Sequence, residues 1–153
     1  MIYIAADHAG YELKKVLIEH FKSKGAAVED MGAYEFNADD DYPDFIYPCA
    51  FRVAQGKEDG SLGIVIGGSG QGEAMVANKV KGVRAAVYYG GNLDIVRLSK
   101  EHNDDNVLSL GARFLSVDKA KEAVDLWLAT KFSAEERHVR RINKITNIED
   151  ERL

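Results

Sequence analysis

The chain has 153 residues, 46% of them apolar and 29% charged, with a net charge of −5 at pH 7. That length suits one domain, residues 1–153, able to bury roughly two-thirds of its unfolded surface. The acidic balance argues against nucleic acid as a partner, and no stretch reaches the apolar length of a membrane span. The opening MIYIAADHAG has neither the basic region nor the cleavage site of a leader. A lone cysteine, Cys49, forms no internal disulfide and stands far from any Cys or His at metal-ligand spacing. It reads as a small buried apolar residue and fits a reducing, cytoplasmic setting.

In chain order, IYIA at 2–5 reads as a strand. Leu13, Val16, Leu17, His20 and Phe21 then recur at helical spacing, with Gly25 as the stop. AAVEDM is a short second strand, and GAYEFNADDDYP is a long polar connection of a kind that often carries function. A helix from about Pro43 to Gln55 contains Pro48, which makes its start uncertain. SLGIVIG is continuously apolar, as expected of a parallel strand covered on both faces. EAMVANKVKG is helical, VRAAVYY a strand, LDIVRLSKEH a helix and NVLSLG the fifth strand. Ser116 caps the amphipathic helix SVDKAKEAVDLWLATK. The chain closes in a basic helix, SAEERHVRRINKITNIEDERL, whose stripe of Val139, Ile142 and Ile145 needs a surface to pack on. The alternation predicts an α/β fold, a Rossmann-like three-layer αβα sandwich on a five-stranded parallel sheet. Such sheets bind ligands at the carboxyl ends of their strands, beside the switch point.

Reactive side chains cluster at the predicted strand ends. The first strand ends in Asp7–His8, the third in GGSGQGE, and the fifth in Gly111–Ala112–Arg113. His102–Asn103–Asp104 precedes the fifth strand, which puts it at the opposite end or on a long approach loop. Each has a plainer explanation: Asp7 as a helix cap, His8 as a structural histidine, HNDDN as a turn. The glycine loop fails the dinucleotide fingerprint, because Glu73 stands where the third glycine belongs, and it fails the Walker pattern, because Glu73 replaces the lysine. A carboxylate there would repel a triphosphate. It is compatible with an amide-lined cradle for a transient oxyanion, with Glu73 as general base beside it. Arg137 and Arg141 share one helix face, either as a solvated basic surface or as a guanidinium clamp for phosphate.

Five segments in order, AADHAGYELK, DYPDF, GIVIGGSGQGEAMVANKVKGVRAA, KEHNDDNVLSLGAR and RHVRRINKI, resemble the ribose-5-phosphate isomerase B family, which includes galactose-6-phosphate isomerase subunits. The resemblance runs from about Ile2 to Ile148. It implies metal-independent, cofactor-free aldose–ketose isomerisation of sugar phosphates by a homodimer, with a dimer of dimers as a further assembly. It also implies active sites between subunits and a C-terminal helix reaching the partner. On that resemblance Asp7 and His8 contact the sugar and assist ring opening, and Gly68, Ser69, Gly70, Gln71 and Gly72 hold the reacting oxygens. His102 is similar to the family's ring-opening acid and Asn103 to a ligand contact, while Arg113, Arg137 and Arg141 look like the phosphate site. One branch of the family uses a cysteine in the first glycine position of the loop. Gly67 stands there, Cys49 is no equivalent, and Glu73 matches the glutamate of the other branch. The Gly90–Gly91 turn departs from the family pattern and bears on the sugar accepted.

The expected reaction is ribose 5-phosphate to ribulose 5-phosphate through a cis-enediolate, with Glu73 moving the proton. Ser69 and the amides of residues 69–72 are the expected oxyanion donors, and Asp7 and His102 the ring-opening pair. Alternatives are a 6-phosphohexose isomerase (allose or galactose 6-phosphate) and a silent sugar-phosphate-binding subunit. The latter would be expected to have lost one of Glu73, His102, Asp7 or the arginines. A phosphoacceptor signalling module needs a second acid beside Asp7, an acceptor Asp after the third strand and a lysine after the fifth; the chain has none of these.

Overall fold

The computed structural model describes residues 1–151, so the last two residues of the expected terminal helix lie outside it. The elements follow the predicted alternation: β1 Ile2–Ala6, α1 Tyr11–Ser23, β2 Val28–Asp30, α2 Pro43–Gln55, a 3₁₀ turn Lys57–Asp59 and β3 Leu62–Gly67. Then come α3 Gln71–Ala77, β4 Ala85–Tyr88, α4 Asp94–Asn103, β5 Val107–Gly111, α5 Val117–Ala129 and α6 Glu136–Glu151. All strand pairs are parallel, in the order β2-β1-β3-β5-β4, with Ile4 beside Ile64 and Ile64 beside Leu108. The chain leaves β1 toward β2 on one side and returns to β3 on the other. The switch point therefore lies between the ends of β1 and β3.

Alternation along the strands divides the core between the two faces. Ile2, Ile4, Ala6, Ile64, Ile66, Leu108 and Leu110 pack with residues of α1, α4 and α5. Tyr3, Ala5, Val65 and Val107 pack with Ile46, Cys49, Ala50 and Val53 of α2 and Ala77 of α3. Cys49 is fully buried, and desolvation pushes its thiol up to about 12, so it behaves as the apolar filler expected. Pro48 costs α2 one internal bond without breaking it. Ser116 caps α5 by accepting from the Lys119 amide at 3.2 Å.

One expected helix is shorter than its pattern. The helix predicted to run on to Gly82 stops at Ala77 because the Asn78 side chain leaves it to bond the Ala85 amide and carbonyl, at 2.8 and 3.0 Å. Those bonds occupy the edge of β4 and fix its first residue. The α1 face is also more polar than its periodicity suggests. Lys14 is 1% exposed, its ammonium donating to Asp30 and to the Ala33 carbonyl, each at 2.6 Å. This pairing ties α1 to the start of the long β2–α2 connection.

A second buried charge lies at the far end of the sheet. Asp105 is 2% exposed; one carboxylate oxygen accepts from Ser99 and from the Trp127 indole, both at 3.0 Å, and the other has no protein partner. Burial raises its pKa to about 6. The native state therefore holds a proton that the unfolded chain releases near pH 4, and stability falls as pH rises from about 4 to 6. Asp105→Asn, neutral throughout, should unfold at higher urea than the parent at pH 7.5, by on the order of 2 kcal/mol. The gain should shrink toward zero at pH 4, and a pH-independent difference would exclude titration of Asp105 as its source.

Candidate active site

The ends of β1, β3 and β5 form one rim. The Asp7 amide bonds the Ile66 carbonyl at 3.3 Å, and one Asp7 carboxylate oxygen accepts from the amides of Ala9 (2.9 Å) and Gly10 (3.1 Å). Asp7 thus shapes the turn into α1 while Gly10 takes the cap position itself. The plainer reading and the functional one are compatible, because only one of its two oxygens is committed to the turn.

The glycine loop follows β3. Gly70, at φ +78°, makes the left-handed step into α3, and its carbonyl is held by the buried Ser109 hydroxyl at 2.6 Å. Gly67 has a different use: a Cβ built there would coincide with the Glu73 carboxylate. The missing side chain makes the room in which that carboxylate sits, 4% exposed. Burial is the main cause raising the Glu73 pKa, and the negative charge of Asp7 adds to it. Its own amide and that of Gly70 act in the opposite direction. A carboxyl moved toward neutrality in a rim pocket is suited to general-base work.

Two side chains cover the loop's other glycines: Arg113, whose guanidinium lies over Gly68 at 3.3 Å from a Cβ built there, and Tyr42, whose ring covers Gly72 at 2.8 Å by the same construction. Of the loop amides expected as oxyanion donors, that of Gly70 already faces Glu73, and that of Gln71 reaches Ser69 Oγ at 3.4 Å. Ser69 accepts there, so its hydroxyl proton is available. His8 rests on Asp40, its Nδ1 at 2.6 Å and its amide at 3.1 Å from the same carboxylate oxygen.

Four predicted site residues lie elsewhere. His102 and Asn103 occupy the last turn of α4, at the rim where β5 begins, so of the two placements the opposite end is the one observed. Their turn is clamped by Arg84, which donates to the Asn103 carbonyl at 2.8 Å and to the Asp104 carbonyl and carboxylate. Arg137 and Arg141 project from α6, exposed, with Arg137 bonded to Glu135 at 2.8 Å. The His102 ring lies 4.3 Å from that of His138, a buried residue bonded to Ser133 and pushed to lower pKa by burial and by the charges of His102, Arg137 and Arg141. Asn103 also lines a cavity of about 400 Å³ with Arg84, Asp105, Ile145 and Ile148.

Asp40, Tyr42 and His138 carried no assignment from the sequence. Asp40 and Tyr42 sit in an aperiodic loop, and DDDYPDF offers only acid density as a signal.

Fold and rim together define an α/β protein with two buried carboxylates, Asp7 and Glu73, at the switch point of a parallel sheet. The model of the Ribose/Galactose Isomerase family matches residues 2–145, and the chain belongs to that family. Ribose-5-phosphate isomerase B of Mycobacterium leprae is 43% identical over 148 residues, 97% of this chain and 89% of that protein. Among solved structures, ribose-5-phosphate isomerase B from Mycoplasma genitalium with bound ribulose-5-phosphate superposes with a TM-score of 0.92 at 43% identity, covering 98% of this chain and 96% of the other. The Clostridium thermocellum ribose-5-phosphate isomerase B gives 0.91 at 43% identity, covering 99% of each chain.

Gly67→Ala should evict the Glu73 carboxylate toward solvent. A carboxyl NMR titration should then show its pKa returning toward the ordinary glutamate value while the fold survives. An unchanged titration would mean that Gly67 does not set the position of the acid.

Proposed function

We propose that the chain is an aldose–ketose isomerase of sugar phosphates, interconverting ribose 5-phosphate and ribulose 5-phosphate with no metal or cofactor. The observation that carries the reading is the Glu73 carboxylate, buried against Gly67 beside Asp7 at the switch point. Identity of 43% to an isomerase crystallised with ribulose-5-phosphate supports the substrate.

After ring opening, Glu73 takes the proton from C2 of the aldose and returns it to C1 of the cis-enediolate. A single carboxylate on one face of the substrate reaches both carbons. General-base action contributes roughly 10²–10⁴-fold, so donors to the enediolate oxygens are needed as well. The Ser69 hydroxyl and the Gly68–Gly72 loop supply them, each such donor contributing about 3 kcal/mol. Asp7 and His102 move the ring-opening proton, with His8 and Asn103 on the sugar. Arg113, Arg137 and Arg141 grip the phosphate and orient the open chain.

This reading needs two subunits. Asp7, Glu73 and Arg113 lie at one rim, and His102, Asn103, Arg137 and Arg141 belong to the other. A homodimer joins the two sets, with α6 reaching the partner. Support comes from α6 itself, where Val139, Ile145 and Ile148 are exposed and only His138 is buried. A negatively charged protein without a membrane-length apolar helix among the described residues fits a cytoplasmic metabolic enzyme.

With chelator present, the protein should convert ribose 5-phosphate faster than allose 6-phosphate or galactose 6-phosphate; no turnover of any of them would sink the reading. Glu73→Gln should lower kcat at least about 100-fold with KM little changed. Subunits carrying Glu73→Gln and subunits carrying His102→Asn, each inactive alone, should recover about a quarter of parental activity when mixed, since half the dimers then hold one intact site. Absence of recovery after verified subunit exchange would remove His102 from a shared site.

A further inference from the structure

Asp40 has a setting that the mechanism above does not use. Its side chain is 6% exposed, comes from the β2–α2 loop rather than from a strand end, and is turned onto His8. One oxygen accepts both the His8 amide and His8 Nδ1; the other is buried with no hydrogen-bond partner. Among the described residues His8 is the one cation-forming side chain within salt-bridge distance of it. A carboxylate so enclosed requires a charged or strongly donating partner, and the imidazole is what meets it.

The consequence falls on the histidine. With Nδ1 bonded to Asp40, Nε2 is the ring nitrogen left for a ligand, and the ring keeps 28% of its surface open. Asp7 lies beside it on the chain, and Arg113 approaches from the end of β5. The bond to Asp40 raises the His8 pKa, burial opposes this, the charges of Asp7 and Asp40 reinforce it, and Arg113 opposes it again. Imidazoles are tuned in this way by the partner of their other nitrogen.

We propose that Asp40 is a positioning residue for His8: it fixes the ring and the proton on Nδ1, so that Nε2–H is presented to the substrate as a charge-assisted donor. This deepens the isomerase reading and rests on it for the substrate, but not for the state of His8. The role is one of binding, so it predicts a KM effect that grows with pH. Below the ordinary histidine value the ring is protonated with or without Asp40. As the pH rises past it, the ring held by Asp40 keeps its second proton longer than the ring without that partner.

The test combines NMR of the histidine side chains with kinetics on Asp40→Asn, His8→Gln and the double variant. In Asp40→Asn, His8 should titrate below the parental protein. KM for ribose 5-phosphate should rise roughly tenfold at pH 8, the equivalent of one charge-assisted bond, and much less at pH 6, with kcat within about threefold. Asp40→Asn should add nothing to His8→Gln at pH 8. An unshifted His8 titration, a KM loss equal at both pH values, or additive losses in the double variant would each overturn the proposal. If the parent turns over no sugar phosphate, the isomerase reading fails, and the His8 titration alone then decides the role of Asp40.

Discussion

The Glu73 carboxylate and the side chain that Gly67 lacks compete for one volume, and the rest of the rim is arranged so that the carboxylate occupies it. β3 must end at Gly67, between β1 and β5, for the pocket to fall at the switch point. The chain must then turn into α3 within three residues, which the left-handed Gly70 and its anchor on Ser109 accomplish. Gly72 must lack a side chain for Tyr42 to close over the first turn. The glycines that imitate a phosphate loop are thus explained largely by approach distances to neighbouring groups. This is why Glu73, fatal to a nucleotide reading, fits here as part of the construction.

The direction of the strands imposes the second constraint. In an all-parallel sheet, everything following a strand collects at one rim and everything preceding a strand at the other. A five-residue strand such as β5 separates the rims by roughly 16 Å, beyond the reach of any side chain. Asp7, Glu73 and Arg113 follow strands, while His102 and Asn103 precede one. If a single sugar phosphate meets both groups, a second copy of the chain must bring the far rim to the near one. The apolar residues left exposed along α6 are in accord with that.

The elements were legible because each carries a period. Continuous apolar β3, the 3.6-residue spacing of α1 and the Ser116 cap all speak locally, and the strand ends then place Asp7, the glycine loop and Arg113 on one rim. Legibility failed where a structure depends on partners distant in sequence. Lys14 looks like a surface position of α1 until Asp30 and Ala33 are brought beneath it. Asp105 reads as part of a turn until Trp127 and Ser99 close on it. Asp40 is one acid among three in NADDDYP, and nothing local says that it is the one that turns inward to His8. The split of the predicted site between two rims was visible as an awkward placement of His102. Its scale becomes plain only when α4 is seen to carry His102 at the start of β5.

Charge explains why the split is useful to the chemistry. On the proposed function a phosphate ester approaches a protein of net charge −5 at a rim that holds Asp7 and Glu73, so cations must be supplied locally. Placed against Glu73, they would stabilise its carboxylate and lower the pKa that burial and Asp7 have raised. Arg113 approaches by way of Gly68, and its charge is felt at His8. Arg137 and Arg141 sit on a helix at the other end of the chain, exposed, where on the proposed function they meet the phosphate end of a substrate whose carbonyl end lies several atoms away. In the proposed mechanism, attraction for the substrate is thereby separated from the basicity of the group that takes its proton. A site built from a single rim would have to trade one against the other.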